Sequence, residues 1–302
     1  MPRTYYGPHG ENNSTYANAG NANLGRWELG SYLILPDQRK YCFALNDGTV
    51  EVAGRLYQSV ASVGGHNNRP VDVVRAIGAV VISATLVTTA AADDIYAEGI
   101  VHVNDVTGEG YSHRIRRANT VEAANADAVA SGVLTVNLAA GESVQVALDT
   151  TSEVSFTRNR FHQVLITAAP PTGGLAGVSP GVAAVDRFYW SQVDGYAAVL
   201  ASGTLQAGLP VMAGITTAGS VESTKRRLQV VSTGSVLSAS TQYAANIVDQ
   251  DGTTTGLAVV TSVSTVTLVD ATGGIANNAP TVGTCIKANA TGDEALIDLR
   301  IM

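Results

Sequence analysis

The chain has 302 residues, room for one large domain or two ordinary ones, and its hydrophobic content of 45% is enough for a packed core. Its 18 basic and 25 acidic residues give a net charge of −7, which argues against a nucleic-acid binder that works by neutralising phosphates. No stretch approaches the roughly 18 consecutive apolar residues of a membrane span, and we expect no secretory leader. Two cysteines, Cys42 and Cys285, are too few for a disulfide framework or a Cys-rich zinc site.

Charged residues make up only 14% of the chain, below the roughly 25% of ordinary soluble domains. Among the 18 basic residues only Lys40, Lys225 and Lys287 are lysines. Lysine is depleted at protein–protein interfaces, whereas arginine, with its planar bidentate guanidinium, is enriched there. The composition therefore predicts a chain that covers much of its surface in an assembly. Compositional drift in a GC-rich genome is the alternative.

Residues 1–30, the arm, are rich in Asn, Gly and Tyr and show neither helical nor strand periodicity. Such a segment cannot bury enough surface to fold alone, yet it contains large amphipathic side chains of the kind that anchor interfaces. We predict an extended N-terminal arm that packs against a neighbouring subunit, with a frayed terminus as the alternative. The predicted partner-interface residues are Tyr5, Tyr6, Tyr16 and Trp27 in the arm and Trp190 further along the chain.

Short β-prone runs separated by turn residues begin at Ser31 and predict a β-rich domain over residues 31–169. Asp47-Gly48, between the runs 41–45 and 49–53, is typical of a hairpin turn. A second hairpin is predicted around Thr107-Gly108, with further strands and two short helices elsewhere in this domain. The further strands are predicted at residues 32–35, 132–138 and 143–148, and the helices at residues 71–79 and 120–130.

Residues 170–186 are rich in Pro and Gly and predict a linker, beyond which residues 187–302 form a second β-rich domain. Near the end of the chain, residues 295–301 alternate so that Ala295, Ile297 and Leu299 share one face, which is typical of a strand tied into a sheet. The predicted fold class is therefore mainly β: two β-rich domains, sandwich-like or barrel-like, with the arm and few short helices.

Two common motifs of catalysis and cofactor binding are absent from the sequence. It has no His-Glu-x-x-His zinc helix and no Gly-x-x-x-x-Gly-Lys phosphate loop. His102 and His113 would face each other across the second hairpin if its loop has two residues, but a stable metal site needs a third ligand, which the sequence does not supply. We predict no catalytic, cofactor-binding or metal-binding residues and no enzyme activity.

Basic residues cluster in three places: Arg114 with Arg116 and Arg117, Arg158 with Arg160, and residues 225–227. Because the chain is acidic overall, we expect these side chains to pair with neighbouring carboxylates rather than bind a polyanion.

Three stretches of the sequence resemble proteins from the structural modules of tailed bacteriophages. They are VNDVTGEGY at residues 103–111, RFYWSQVDGYAAVL at residues 187–200 and GTLQAGLPV at residues 203–211. Together with the ending at residues 282–299, they resemble the phage capsid decoration (cement) proteins. The resemblance is best over residues 187–302, moderate over residues 48–168 and absent from the arm.

The resemblance implies a structural protein that binds the outside of an icosahedral phage head, commonly as a homotrimer, and bridges neighbouring major capsid subunits. No cofactor, nucleic acid or membrane is implied, and the expected location is the outer capsid surface of the virion. The chain departs from the family in size, because many decoration proteins are one small domain.

Other functions stay open at this point. The major capsid protein of tailed phages needs a long spine helix, and no periodic run here exceeds about a dozen residues. A tail or fibre protein is a further alternative. A β-rich glycan hydrolase is the alternative from a different class, and it would need two carboxylates about 5–10 Å apart in a cleft. The carboxylates available for that role are Asp93, Asp94, Glu98 and Glu109.

Overall fold

The computed structural model describes residues 3–17, 27–117, 124–125, 128–224 and 279–301, and the backbone of four short strands between residues 231 and 267. This part of the chain forms strands, turns and two single-turn 3-10 helices, Glu11–Asn13 and Gly64–His66, and it contains no α-helix. The prediction of a mainly β fold is thereby confirmed.

Strands of the described residues are numbered in chain order. They are β1 Thr4–Tyr6, β2 Tyr16–Ala17, β3 Tyr32–Ile34, β4 Lys40–Leu45, β5 Leu56–Gln58, β6 Arg69–Pro70, β7 Val81–Thr85, β8 Ile100–Asp105, β9 Ser112–Arg114, β10 Val133–Asn137, β11 Glu153–Thr157, β12 Leu165–Ile166, β13 Leu175–Val178, β14 Arg187–Leu200, β15 Pro210–Ala213, β16 Val221–Ser223, β17 Val231–Ser232, β18 Ala244–Val248, β19 Thr254–Val259, β20 Val266–Thr267, β21 Thr281–Lys287 and β22 Glu294–Arg300.

Twelve of these strands form one large sheet, in which eight follow the order β1-β3-β4-β14-β22-β21-β15-β16. The long strand β14 pairs antiparallel with β4 through its first half and with β22 through its second half. β2, β5, β12 and β13 pair alongside this path. The large sheet therefore contains strands from the arm and from both sides of residues 170–186. The division of the chain into two domains at that segment stays a prediction.

Residues 69–157, here called the inserted region, form two smaller sheets with the orders β10-β7 and β6-β11-β8-β9. Their buried side chains make a hydrophobic core of their own, which includes Ile82, Val101, Leu134 and Phe156. The strands before and after this region, β5 and β12, are paired with each other in the large sheet. The chain therefore enters and leaves the inserted region side by side.

The large sheet has two cores, one along each half of β14. Phe43, Phe188 and Trp190 belong to the first core, which also receives residues of the arm. The second core is built from β22 and its neighbours, where Ile297 and Leu299 are completely buried. A free cysteine is buried in each, Cys42 in the first core and Cys285 in the second.

The helix predicted at residues 71–79 is wrong. The backbone N–H of Val71 donates to the carbonyl oxygen of Ser152 at 2.9 Å, and that of Arg75 donates to the carbonyl oxygen of Leu148 at 2.8 Å. Hydrogen bonds to distant residues thus replace those of a helical turn, because intrinsic helix propensity is weak compared with tertiary pairing.

The described residues of the second predicted helix, at 120–130, are not helical either: Asn125 and Ala128 form isolated bridges to other parts of the inserted region. Residues 120–123 and 126–127 lie outside the described residues. The strand predicted at residues 143–148 is also wrong, because this stretch forms only an isolated bridge at Leu148.

The hairpin predicted at Asp47-Gly48 is wrong because both edges of β4 are already paired, one with β3 and the other with β14. Residues 49–53 form no strand, and Oδ1 of Asp47 instead accepts a hydrogen bond of 2.8 Å from the N–H of Thr49. The second hairpin is confirmed, since β8 pairs antiparallel with β9. The predicted strands at residues 32–35, 132–138 and 295–301 are confirmed as β3, β10 and β22.

Candidate interaction surface

An aromatic cluster attaches the arm to the large sheet. We use this name for Tyr5, Tyr16, Trp27, Phe43, Phe188 and Trp190. The ring centroid of Trp27 lies 5.0 Å from that of Trp190 and 5.3 Å from that of Phe43. The ring centroids of Tyr5 and Tyr16 lie 5.7 Å and 5.2 Å from that of Trp27. Contacts of this kind combine large apolar burial with edge-to-face attraction, so the described arm is held on its own chain.

The five predicted interface residues are thereby separated into two groups. Trp190 is completely buried, and Tyr5, Tyr16 and Trp27 are half-buried in the aromatic cluster. The side chain of Tyr6, by contrast, is 76% exposed. Among these five residues, Tyr6 has the ring that is available to a partner.

Tyr6 lies on an edge strand. β1 pairs parallel with β3 and, among the described residues, with no other strand. The carbonyl oxygen of Arg3 accepts from Tyr32, and the N–H of Gly7 donates to Ile34. Because backbone groups alternate in direction along a strand, those of Thr4 and Tyr6 point away from β3. Such an edge is a template for strand addition.

A second uncovered surface lies in the inserted region, at residues 73–80, here called the apolar segment. Its large aliphatic side chains are 47% to 70% exposed, and its one charged residue, Arg75, forms an ion pair with Asp72 at 3.5 Å. The exposed side chains are Val73, Val74, Ile77 and Val80. The sequence predicts a helix over this stretch and no interaction surface, although four large aliphatic residues in eight positions are a signal of an apolar surface.

A pocket of about 620 Å³ lies between the 3-10 turn of the arm and β14. Most of its side chains are polar, among them His9, Arg39, Gln192 and Tyr196. Gln192 donates a hydrogen bond of 2.9 Å from Nε2 to the carbonyl oxygen of Tyr196. The carboxylates named for a glycan hydrolase, Asp93, Asp94, Glu98 and Glu109, are not among the residues lining this pocket.

The pairing of His102 with His113 is wrong. In the register of the second hairpin His113 lies opposite Val101, and His102 lies opposite Ser112. Neighbouring positions of a strand point to opposite faces, so the two imidazoles are on different sides of the sheet. His113 is buried, and its Nδ1 lies 3.6 Å from Oε2 of Glu142. Among the described residues no group of three or more His, Cys, Asp or Glu side chains could hold a metal ion.

An ion pair and a hydrogen bond connect the end of the arm with the inserted region. Glu28 forms an ion pair with Arg114 at 3.1 Å, and Glu98 forms one with Arg117 at 3.2 Å. The side chain of Glu98 also accepts a hydrogen bond from the backbone N–H of Leu29. Burial raises the pKa of Glu98 to about 7, while the charge of Arg117 acts in the opposite direction.

Glu51 is a second buried carboxyl, located between the turn at Asp47 and the start of β5. It is 1% exposed, and its Oε2 has no hydrogen-bond partner. Burial raises the pKa of Glu51 to about 8, and the negative charge of Asp47 contributes in the same direction. No basic side chain among the described residues forms an ion pair with Glu51.

The basic clusters meet different surroundings. Arg114 and Arg117 pair with carboxylates, as expected. For Arg158 and Arg160 that expectation is wrong, because within the described part of the chain no carboxylate lies within ion-pair distance of either guanidinium. Residues 225–227 lie outside the described residues.

Comparisons with family models, with curated proteins and with solved structures find no match for this chain. Within the described residues, no helix is both long enough and apolar enough to cross a membrane.

Proposed function

We propose that this chain is a virion structural protein that binds the outside of an icosahedral phage head and stabilises it by bridging major capsid subunits. The proposal takes its partner and its location from the resemblance of residues 103–111, 187–200 and 203–211 to phage capsid decoration proteins. Its main structural support is one observation: the described part of the chain presents two separate surfaces to solvent, the edge of β1 and the apolar segment.

Each surface suits a different kind of contact. At β1 the backbone groups of Thr4 and Tyr6 point away from β3 and have no strand partner among the described residues. They can pair with a strand of a neighbour, and the exposed ring of Tyr6 can pack on it. In the apolar segment, exposed Val and Ile side chains can be buried against an apolar surface without removing unpaired charges from water.

A bridging protein needs two such surfaces, and the two belong to different cores. β1 packs over the first core of the large sheet, whereas the apolar segment belongs to the inserted region. When two modest contacts are made by one chain, the first raises the effective concentration for the second, so the overall affinity exceeds that of either contact. A homotrimer would raise the overall affinity further. One outcome of this arrangement is resistance of the head to internal pressure.

The copy number of the chain in purified virus particles tests the proposal. Quantitative mass spectrometry against the major capsid protein should give a ratio near one to one or a simple fraction such as one third. A handful of copies per particle would favour a tail or fibre protein. Absence from particles would overturn the proposal.

Two variants test the contribution of the apolar segment. Val74→Asp combined with Ile77→Asp should leave the melting temperature of the isolated protein within about 2 °C of wild type, because both side chains are exposed. Occupancy on heads stripped of this protein should fall at least about tenfold, since binding would bury two carboxylates without partners. Val182→Asp is the matched control, because Val182 is 69% exposed outside the segment. Equal occupancy of all three proteins would contradict a role of the segment.

A further inference from the structure

A small pocket lies where the chain passes between the large sheet and the inserted region. Its volume is about 130 Å³, and residues 59–63 and 156–160 line it together with Tyr96. The first stretch follows β5 of the large sheet, and the second begins at the end of β11 in the inserted region. Both connections between the two parts of the molecule therefore border the pocket.

Arg158 and Arg160 line this pocket with most of their donors unused. Nη1 of Arg158 donates to Oε1 of Gln163 at 3.0 Å, and Nη2 of Arg160 donates to the carbonyl oxygen of Leu175. The Nε atoms of both arginines are buried and have no hydrogen-bond partner. A guanidinium has five N–H donors in a planar fork, and buried donors of this kind are normally satisfied.

The two positive charges also lack a compensating negative charge among the described residues. Burial lowers the pKa of both Arg158 and Arg160, which shows that water solvates them incompletely. The neighbouring His162 is completely enclosed, and burial together with the charge of Arg158 lowers its pKa to about 3, so this imidazole is neutral. Its two ring nitrogens have no hydrogen-bond partner either.

An anion would resolve both features, because it would accept the unused N–H donors and balance the partly desolvated charge. The volume of about 130 Å³ leaves room for one phosphate-sized ion. The hydroxyl-bearing residues Ser59 and Ser62 also line the pocket and can complete a polar shell.

We propose that Arg158 and Arg160 form a binding site for a small oxyanion of the size of phosphate or sulfate. Bound between the two connections, the ion would strengthen the attachment of the inserted region to the large sheet. This site is independent of the proposed binding to capsids, and its test requires only the isolated full-length chain.

Isothermal titration calorimetry with inorganic phosphate, at constant ionic strength maintained with chloride, tests the proposal. Wild type should bind about one phosphate per chain, and sulfate should compete. Arg158→Gln and Arg160→Gln should each weaken binding at least about tenfold. Arg300→Gln should bind as wild type does, because Arg300 is an exposed arginine of β22 that pairs with Asp298 at 3.2 Å.

If the glutamine variants do not fold, Arg158→Lys and Arg160→Lys decide the question. They keep the positive charge but lose the bidentate fork, so phosphate should bind at least about fivefold more weakly than to wild type. No binding to wild type at about 50 mM phosphate, or equal binding to wild type and to the folded variants at positions 158 and 160, would overturn the proposal. Equal weakening by Arg300→Gln would also overturn it, because the effect would then reflect overall charge.

Discussion

The backbone N–H of Leu29 donates a hydrogen bond of 2.5 Å to Oε2 of Glu98, a residue of the inserted region. Oε1 of the same carboxylate lies 3.2 Å from Nε of Arg117. One buried side chain thus fastens the last residues of the arm to a part of the molecule that has its own core. The connection includes an ion pair and a hydrogen bond to the backbone.

Glu98→Ala should lower the free energy of unfolding by about 3 kcal/mol. The substitution leaves the N–H of Leu29 without its acceptor and removes the negative charge beside Arg117. Urea unfolding followed by circular dichroism measures the change. Glu109→Ala is the control, since Glu109 is exposed and should contribute less than about 0.5 kcal/mol. Equal stability of wild type and Glu98→Ala would show that this connection does not stabilise the fold.

Glu51 makes the stability of the protein dependent on pH. Its pKa is about 8 in the folded state, above the ordinary value of 4.5, so the folded chain holds a proton that the unfolded chain releases. Its stabilising contribution is fully present below about pH 4.5 and is lost as pH rises towards 8, with a slope of at most about 1.4 kcal/mol per pH unit. Glu51→Gln should remove this loss, because the amide stays neutral.

The difference in free energy of unfolding between Glu51→Gln and wild type measures this effect. It should grow in favour of the variant between pH 5 and pH 8, measured by urea unfolding at each pH unit. Using the difference cancels the contribution of Glu98, whose raised pKa acts in the same direction. Glu109→Gln, at an exposed position, should follow wild type. A difference that is constant over this pH range would refute the assignment.

Trp27→Ala should loosen the arm. Trp27 contacts Tyr5, Tyr16, Phe43 and Trp190, so its removal leaves a gap in the centre of the aromatic cluster. We expect a loss of about 2–3 kcal/mol and faster amide hydrogen exchange in β1 and β2.

Tyr6→Ala is the matched control for Trp27→Ala. It removes an aromatic ring from the same arm, but that ring is 76% exposed and should not affect stability or exchange. Unchanged exchange in β1 and β2 of Trp27→Ala would mean that strand pairing alone holds the arm.

Gly283→Ala should destabilise the pairing of β21 with β22. A Cβ atom at Gly283 would overlap with the carbonyl oxygen of Asp298, so the two strands would have to move apart. The expected loss is about 2–3 kcal/mol, measured by thermal or urea unfolding. Gly48→Ala should be neutral, because a Cβ atom there meets no atom within 4 Å. Similar stability of both variants would show that the strands tolerate the extra methyl group.

Local patterns predicted the strands whose apolar residues alternate along the chain and the strands whose partner follows after a short turn. In β22 the alternation of Ala295, Ile297 and Leu299 indicates directly which face is buried. The hairpin of β8 and β9 was predictable because its partners are close in sequence. No local feature of the sequence excluded a helix at residues 71–79. The backbone of this stretch instead forms hydrogen bonds with residues far along the chain, which local patterns do not reveal.

For the candidate surfaces, too, local patterns were informative only where contacts between distant residues did not decide the outcome. The sequence identified Tyr6 among the interface candidates but could not distinguish it from Trp190, which is completely buried. It also could not show that Arg158 and Arg160 lie beside a pocket without a carboxylate, because that depends on which side chains surround them.

By itself the sequence determined the mainly β class, the low charge and the strands whose periodicity is local, because these depend on residue type and spacing alone. The tertiary structure decided which strands pair, that β4 and β14 meet in one sheet, and which aromatic rings and charges are buried. These properties depend on contacts between residues far apart in the chain. Such contacts outweigh local preferences because each buries more apolar surface and satisfies more hydrogen bonds than a local turn can.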